Sequence, residues 1–309
     1  MGRYITSRVI SMLITFIIIA SATFFLMKLL PGSPFNNQEK LSDTQIHALN
    51  ERYGLNDPYP VQYAKYMGNL FQGDLGVSFQ MDGRSVTKII SERIGPSAYL
   101  GFQSIFIGTL IGLILGIVAA LKHNTLLDYG TMVIAVLGIS IPSFVVAGLL
   151  QFFIGVKLQW LPVAYWEGFT YTIMPTIALS AGVVATIARF MRTEMLEVLN
   201  QDYITTAYAK GLSGLAVILK HTIRNALIPV ITILGPLTVG LMTGSLVIEK
   251  IFVIPGLGEQ FVVSIMTNDF PVIMGTTLFF SALFIVIILL VDISYGIIDP
   301  RIRLAGGKD

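Results

Sequence analysis

The residue types that carry out covalent or metal chemistry are scarce in this chain, and their spacing matches no catalytic pattern. None of the 309 residues is a cysteine, which excludes disulfides, thiolate nucleophiles and thiolate metal sites. The three histidines, His47, His123 and His221, are widely spaced and form no metal-ligand motif. The H-E-x-x-H and G-x-S-x-G motifs of metalloproteases and serine hydrolases are also absent from the sequence. We therefore predict that the chain is not an enzyme and holds no metal ion or cofactor.

One polar stretch, Glu194 to Pro229, interrupts the second half of the chain between two apolar runs. Its first part predicts a short helix, with Asp202 as N-cap or first-turn acid, Lys210 in the last turn and Gly211 just beyond it. A second, amphipathic helix is expected over residues 215–225. Two short helices joined at a glycine would form a projection suited to a groove on another protein, and an ordinary solvated loop is the alternative interpretation.

The rest of the chain has the composition of a membrane protein. Hydrophobic residues make up 54% and charged residues 12%, about half the usual charged share, and the mean hydropathy is +0.76. The net charge of +2 gives no indication of nucleic-acid binding. We predict an all-α polytopic membrane protein with six transmembrane helices. The six apolar runs are Val9–Met27, Ser97–Leu121, Met132–Val156, Thr172–Ala188, Leu227–Ile248 and Val272–Val291.

These runs divide the chain into three parts. Residues 1–30 hold the first transmembrane helix, residues 31–96 form a segment outside the membrane, and residues 97–309 form a core of five helices. A cleaved signal peptide is the alternative for the first run, because Ala20-Ser21-Ala22 has the small residues of a cleavage site. The run is long for a signal peptide, and cleavage there would leave an apolar start, so a retained helix is expected.

Two features inside the spans predict how helices meet. Small residues recur every fourth position in the second span, which favours close helix packing; they are Ser104, Gly108, Gly112, Gly116 and Ala120. In the third span Pro142 removes a backbone hydrogen bond, so the helix is expected to kink there. The residues around this kink, Ser140, Pro142 and Ser143, are candidates for a pathway or hinge, with simple packing as the alternative.

The distribution of lysine and arginine predicts the orientation in the membrane. Six spans place both termini and residues 189–226 on one side. That side holds Arg3, Arg8, Lys122, Arg189, Arg192, Lys210, Lys220, Arg224, Arg301, Arg303 and Lys308. The two short loops on the other side carry one base each, Lys157 and Lys250. Because basic loops stay in the cytoplasm, residues 189–226 and both termini are expected to be cytoplasmic, and residues 31–96 extracytoplasmic.

Motifs along the whole length agree with one known family. The polar stretch contains the runs Asp202-Tyr203-Ile204-Thr205-Thr206-Ala207-Tyr208-Ala209-Lys210-Gly211-Leu212-Ser213 and His221-x-x-Arg224-Asn225-Ala226-Leu227-Ile228-Pro229. It resembles the cytoplasmic "EAA" loop of bacterial ABC-importer permeases, specifically their dipeptide/oligopeptide/nickel branch. Within that branch the sequence is similar to the B-type permease subunits of oligopeptide importers. The further matching motifs are Leu30-Pro31-Gly32-Ser33-Pro34, Tyr53-Gly54-Leu55, Gly73-Asp74-Leu75-Gly76-Val77-Ser78, Ile141-Pro142-Ser143-Phe144, Leu161-Pro162, Glu249-Lys250-x-Phe252-x-x-Pro255-Gly256-Leu257-Gly258 and Asp299-Pro300-Arg301.

The resemblance implies that residues 189–226 are a coupling loop, the name used below. The family's Glu-Ala-Ala signature reads Thr205-Thr206-Ala207 here, so no glutamate contact is carried over. The residues implied to couple to an ATPase are Asp202, Tyr203, Thr205, Thr206, Ala207, Lys210, Gly211, Leu212 and Ser213.

The resemblance also implies the partners. These are a homologous second permease, two cytoplasmic ATPase subunits that bind ATP and Mg²⁺, an extracytoplasmic binding protein, and a peptide substrate, all at a bacterial cell membrane. The sequence itself contains no G-x-x-x-x-G-K-[ST] phosphate-binding loop. If ATP drives this protein, another chain must therefore bind it.

Three other functions are alternatives for this sequence. A dipeptide or nickel-chelate importer has a similar permease. An ion-coupled secondary transporter should carry ionisable residues within its spans, and the six predicted spans contain essentially none. A passive channel is compatible with the composition.

Overall fold

The structure is a computed structural model that describes residues 2–29, 35 and 42–298. The motifs at Leu30–Pro34 and Asp299–Arg301, and the helix end expected at Pro31–Pro34, lie outside these residues. The described chain is helical apart from turns and one isolated β-bridge between Val77 and Ser85. The α-helices are α1 (Gly2–Leu29), α2 (Asp43–Arg52), α3 (Tyr59–Phe71), α4 (Val86–Leu121), α5 (Leu126–Ser140), α6 (Ser143–Leu150), α7 (Phe169–Leu199), α8 (Asp202–Ala209), α9 (Gly214–Val217), α10 (Ile223–Met242), α11 (Leu246–Ile251), α12 (Leu257–Met266) and α13 (Phe270–Ile298).

Five helical stretches in the described chain are long and apolar enough to cross a membrane, and a bent pair makes a sixth if it counts as one span. The bent pair is α5 with α6, which continues as a π-helix over Gln151–Lys157. The five stretches are Arg8–Leu29, Val86–Leu121, Phe169–Leu199, Gly214–Ile251 and Phe270–Val291. The chain is thus a multi-pass, all-α membrane protein, and this prediction is confirmed. The assignment of its two sides stays a prediction.

Several helices extend beyond the apolar runs that predicted them. The fourth run was expected to end at Ala188, but α7 continues to Leu199. The second run was expected to begin at Ser97, but α4 begins at Val86. Charged residues stop a segment from lying in lipid but not from being helical. In the extension of α7, Met191 and Met195 are fully buried, so tertiary packing keeps the helix formed.

Two predicted loops are also helical. The stretch Glu249–Pro271 was expected to be a loop, but it contains the second half of α11 and all of α12. Leu257, Gln260 and Ser264 lie on the buried side of α12 at helical spacing, so the Pro255-Gly256 pair marks the start of a helix. The expected separate helix over 215–225 is in fact continuous with the fifth span, because α9, a π-helical turn (Ile218–Thr222) and α10 follow without a break.

The described chain divides into two compact units. The first unit comprises Pro96–Pro255 and the chain from Val286. Its larger core cluster joins α4, α7, α8 and α10 through side chains that include Ile187, Met191, Ile204 and Val230. A second cluster lies around Leu100, Met174, Ile248 and Phe252.

The second unit comprises Gly2–Gly95 and Gly256–Ile285. Helix α2 begins after Ser42, which forms a complete capping box with Gln45. In the buried turn before α4, the Ser78 hydroxyl and the Phe79 N–H (3.1 Å) donate hydrogen bonds to the Asp269 carboxylate. Burial raises the pKa of Asp269 above its usual range, although these hydrogen bonds oppose the shift.

Candidate translocation cavity and coupling loop

The third apolar run is broken at Pro142. Helix α5 ends at Ser140, α6 begins at Ser143, and the two helices meet at 98°. Ile141 (ψ 120°) and Pro142 (ψ 138°) are extended, as expected because proline lacks an N–H and disfavours a helical residue before it. The sequence predicted a kink, and the structure corrects it to a complete break.

A second break separates α10 from α11. Helix α10 ends at Met242, and Gly244 then adopts a φ of +94°, which only glycine tolerates easily. Helix α11 starts two residues later, at Leu246. The sequence predicted one continuous span from Leu227 to Ile248, so this break was missed, although Gly244 was a visible signal for it.

Both breaks line one cavity of about 460 Å³ in the first unit. Helix α7 provides a further wall, and every lining residue in the described chain is uncharged. Of the predicted pathway residues, Pro142 and Ser143 line the cavity, whereas Ser140 does not. The lining residues are Gly138, Ile139, Ile141, Pro142, Ser143, Ala178, Leu179, Ala181, Gly182, Thr186, Leu237, Gly240, Leu241, Gly244 and Ser245.

Non-helical backbone inside apolar, membrane-length segments has a physical cost. Free N–H and C=O groups cannot face lipid, so they must be buried in protein or line a water-filled space. The cavity meets this requirement for the breaks at Ile141-Pro142 and Thr243-Gly244. It also carries the hydroxyls of Ser143, Thr186 and Ser245. The arrangement suits a hydrated passage for a polar, uncharged group.

The glycine stripe of α4 fixes the position of α7. A Cβ atom added at Gly108 would lie 2.7 Å from Val183, and one at Gly112 would lie 2.7 Å from Ile187. At Gly116 it would lie 2.6 Å from the Ala188 carbonyl oxygen. Real Cβ atoms do not approach this closely, so only glycine permits the two helices to lie so near each other. The stripe holds the α7 wall of the cavity against α4.

An ion pair that the sequence did not reveal joins α5 to the extension of α7. Arg192 donates from Nε to Asp128 Oδ1 at 2.5 Å and from Nη2 to Oδ2 at 2.8 Å. Asp128 is only 1% exposed, and it also accepts the Asn124 N–H at 3.0 Å. His123 Nδ1 lies 3.1 Å from Asp128 Oδ2. Bidentate pairs of this kind are strong and directional, so the pair fixes α5 to α7 at this point.

In the coupling loop, α8 ends in a glycine turn. Gly211 has a φ of +80°; its N–H donates to the Tyr208 carbonyl at 2.9 Å, and the Leu212 N–H donates to the Ala207 carbonyl at 3.3 Å. This is the Schellman pattern that a C′ glycine allows. Ser213 then caps α9 by accepting the Ala216 N–H at 3.4 Å. Asp202 lies in the first turn of α8, as predicted. The glycine turn shows that the predicted corner at Gly211 is present as well.

Helix α8 has an inner face and an outer face. Ile204 and Ala207 are buried in the same cluster as Met191 and Met195 of α7. Ala207 is therefore covered by the protein itself, unlike the other predicted coupling residues. The exposed set is Asp202, Tyr203, Thr205, Thr206, Lys210, Gly211, Leu212 and Ser213. Tyr208 is exposed as well, so the outer face presents Tyr203, Tyr208 and Leu212, with Leu215 following at 67% exposure.

Sequence reasoning also missed Glu249, which is buried and accepts a hydrogen bond from the Ser97 hydroxyl at 2.6 Å. The position of this acidic residue directly after an apolar run is the sequence feature that could have indicated its burial. Within the described ranges no group of three or more His, Asp or Glu side chains is placed to hold a metal ion.

Known proteins resemble this chain along its whole length. Residues 112–304 match the family described as the binding-protein-dependent transport system inner membrane component, and residues 1–97 match the N-terminal family of the same membrane components. The dipeptide transport system permease protein DppB of Bacillus subtilis is 47% identical over 304 residues, covering 98% of this chain and 99% of the relative. The oligopeptide transport system permease protein OppB of Escherichia coli K12 is 40% identical over 305 residues, covering 98% and 100%.

Two solved structures share the fold. The MetNI methionine ABC transporter in inward-facing conformations matches with a TM-score of 0.55 and 17% identity, covering 69% of this chain and 97% of that chain. An amino acid ABC transporter solved with histidines matches with a TM-score of 0.53 and 14% identity, covering 67% and 92%. At this identity they establish the fold, while the sequence matches over nearly the whole chain establish the family. The chain is a member of the family of inner membrane components of binding-protein-dependent transport systems.

Proposed function

We propose that this chain is the transmembrane permease subunit of an ATP-driven peptide importer, and that it forms the translocation pathway with a homologous second permease. The observation that carries this proposal is the uncharged cavity between two broken spans. A peptide backbone needs hydrogen-bonding partners but no fixed charge, and the helix breaks with their serine and threonine neighbours supply such partners. The named functions of the relatives in B. subtilis and E. coli support the same cargo.

In this proposal the energy comes from two cytoplasmic ATPase subunits, which bind ATP and Mg²⁺ on their own chains. The exposed face of α8 docks into one of them. Movement of α8 reaches α7 through their shared buried cluster, and it reaches α5 through the Arg192–Asp128 pair. Because α5 ends at the break that lines the cavity, the motion changes access to the pathway. This is alternating access in a packed bundle with two stable arrangements.

Orientation and delivery follow from the same proposal. The excess of lysine and arginine on the coupling-loop side places residues 189–226 in the cytoplasm of a bacterial cell. An extracytoplasmic binding protein delivers peptide from the other side of the membrane. Oligopeptides are the proposed cargo. Dipeptides are the alternative cargo, supported by the 47% identity to a dipeptide permease beside 40% to an oligopeptide permease, and a nickel chelate is a further alternative.

An ion-coupled transporter is the competing class, and such a transporter needs a carboxylate that can bind the coupling ion. Asp128 is a buried carboxylate that could be considered for this role. Asp128 is held by a fixed arginine with two hydrogen bonds, so it is not available to an exchangeable cation. Ion coupling in transporters instead uses intramembrane acids that bind and release their ion during the cycle. Asp128 thus serves the packing of α5 on α7, which favours the ATP-driven class.

The test is uptake by the reconstituted importer. Proteoliposomes carry this chain, the second permease and both ATPases, with the binding protein and a radiolabelled tripeptide outside and ATP inside. Uptake is expected only with ATP and binding protein together, and it should be insensitive to a proton or sodium gradient. A matched preparation with ATPase subunits that cannot hydrolyse ATP is the control. Uptake that continues in that control, or that follows an ion gradient, would contradict the proposal.

A further inference from the structure

The helical glycines of the first unit fall into two classes. One class packs: a Cβ atom added at Gly108, Gly112 or Gly116 would lie within 2.7 Å of a neighbouring helix. The other class does not: an added Cβ atom would meet no heavy atom within 4 Å at Gly182 in α7, at Gly240 in α10, or at Gly130, Gly148 and Gly214, and of these five only Gly182 and Gly240 line the cavity. Close helix packing within this chain therefore does not explain the second class.

Glycine in the interior of a helix weakens that helix relative to alanine, so its presence needs a reason. Gly182 and Gly240 lie on two different helices, yet both line the cavity described above. Each removes a side chain from the wall at a point where the protein has room for one. The common effect is a wider cavity, not a closer helix contact.

We propose that Gly182 and Gly240 determine the width of the translocation pathway and so set the upper limit on the side-chain bulk of the peptides that pass. This inference rests on the proposed peptide-import function and identifies two residues that determine its specificity. The cavity volume of about 460 Å³ is within the range of roughly 300–1,000 Å³ typical of ligand sites. Since its described lining is uncharged, the pathway selects by size and not by the sign of a charge.

The cavity wall supports this interpretation in a second way. Ser143, Thr186 and Ser245 offer hydroxyls, and the two helix breaks offer backbone groups. These are partners for the main chain of a peptide, which is the same in every sequence. A wide wall that binds only the main chain admits peptides of varied composition, and the two glycines then limit how large their side chains can be.

The test uses leucine at each glycine within the complete importer. Gly182→Leu and Gly240→Leu add bulk to the cavity wall. Gly130→Leu and Gly148→Leu are matched controls, because an added Cβ atom at those positions also meets nothing within 4 Å but neither residue lines the cavity. Uptake of radiolabelled tri-alanine and tri-phenylalanine is measured in proteoliposomes with saturated binding protein, so that delivery is the same for all variants.

The ratio of tri-alanine to tri-phenylalanine uptake is expected to rise on the order of tenfold in Gly182→Leu and Gly240→Leu, and to stay at the wild-type value in both controls. Alanine at the same two positions should give a smaller rise in the same direction. An unchanged uptake ratio at both positions would overturn the inference. So would an equal decrease in the uptake of both peptides in the alanine variants as well as the leucine variants. The inference would also be overturned if the Gly182→Leu and Gly240→Leu chains no longer co-purified with the second permease, since the two glycines would then contact that subunit. If the wild-type importer transports neither peptide, the proposed function itself is wrong.

Discussion

Removal of the Arg192 side chain tests how movement passes from the coupling loop to the cavity. The guanidinium makes two hydrogen bonds to Asp128, at 2.5 and 2.8 Å, and the carboxylate is 1% exposed. Arg192→Ala removes both of these hydrogen bonds from Asp128, which keeps only the Asn124 N–H and the nearby His123, and such a loss destabilises a protein by about 1–3 kcal/mol. In the assembled importer we expect peptide uptake to be lost while ATP hydrolysis continues, because α5 no longer follows α7.

The magnitude is measured with a double-mutant cycle. The free energy of unfolding of the detergent-solubilised chain is compared among the wild type, Arg192→Gln, Asp128→Asn and the double variant. The double variant should be more stable than the sum of the two single losses predicts, because two amides can pair and no buried charge remains. Arg189→Ala, an exposed residue on the same helix, is the control and should change little. A coupling energy below about 0.5 kcal/mol would refute the assigned role of the pair.

Three further predictions concern the glycine turn, the glycine stripe and the buried acid of the second unit. Gly211→Val places a β-branched residue at a φ of +80°, so we expect ATP hydrolysis without uptake; normal coupling would exclude a docking role for this turn. Gly112→Leu forces side-chain atoms into Ile187 and should destabilise the chain by about 1–3 kcal/mol in unfolding experiments, whereas Gly130→Leu should not. Because burial raises the pKa of Asp269, the folded state binds a proton more tightly than the unfolded state, so stability should fall as the pH rises above about 4. Asp269→Asn should remove this pH dependence, and an unchanged pH profile of thermal unfolding would contradict the reasoning.

The sequence predicted the helical membrane class and the corner at Gly211 because both depend on local patterns. Apolar runs of membrane length are visible in the sequence, and a glycine after Lys210 is a typical helix end. The limits of the helices were predicted less well. Hydropathy marks where lipid ends, but α7 continues to Leu199 because Met191 and Met195 are buried in one cluster with side chains of α8 and α10. A pattern within one helix does not show such contacts.

The cavity was predicted only in part for the same reason. Pro142 signals a break by its own covalent structure, and the break is present. Gly182 and Gly240 look like packing glycines in the sequence, and only the space around an added Cβ atom separates them from Gly108 and Gly112. The pairing of Asp128 with Arg192 joins residues that are 64 positions apart, so neither residue alone revealed it.

The central claim is that ATP changes access to the cavity between the broken spans. Because the chain has no cysteine, a single cysteine can be introduced without further change. Ser245→Cys in the cavity wall is labelled with a membrane-impermeant maleimide from one side of the membrane, in the assembled importer, with and without ATP. Gly130→Cys, outside the cavity, is the control. We predict that ATP changes the labelling rate of Ser245→Cys and leaves that of Gly130→Cys unaltered. A labelling rate at position 245 that is the same with and without ATP would contradict the claim.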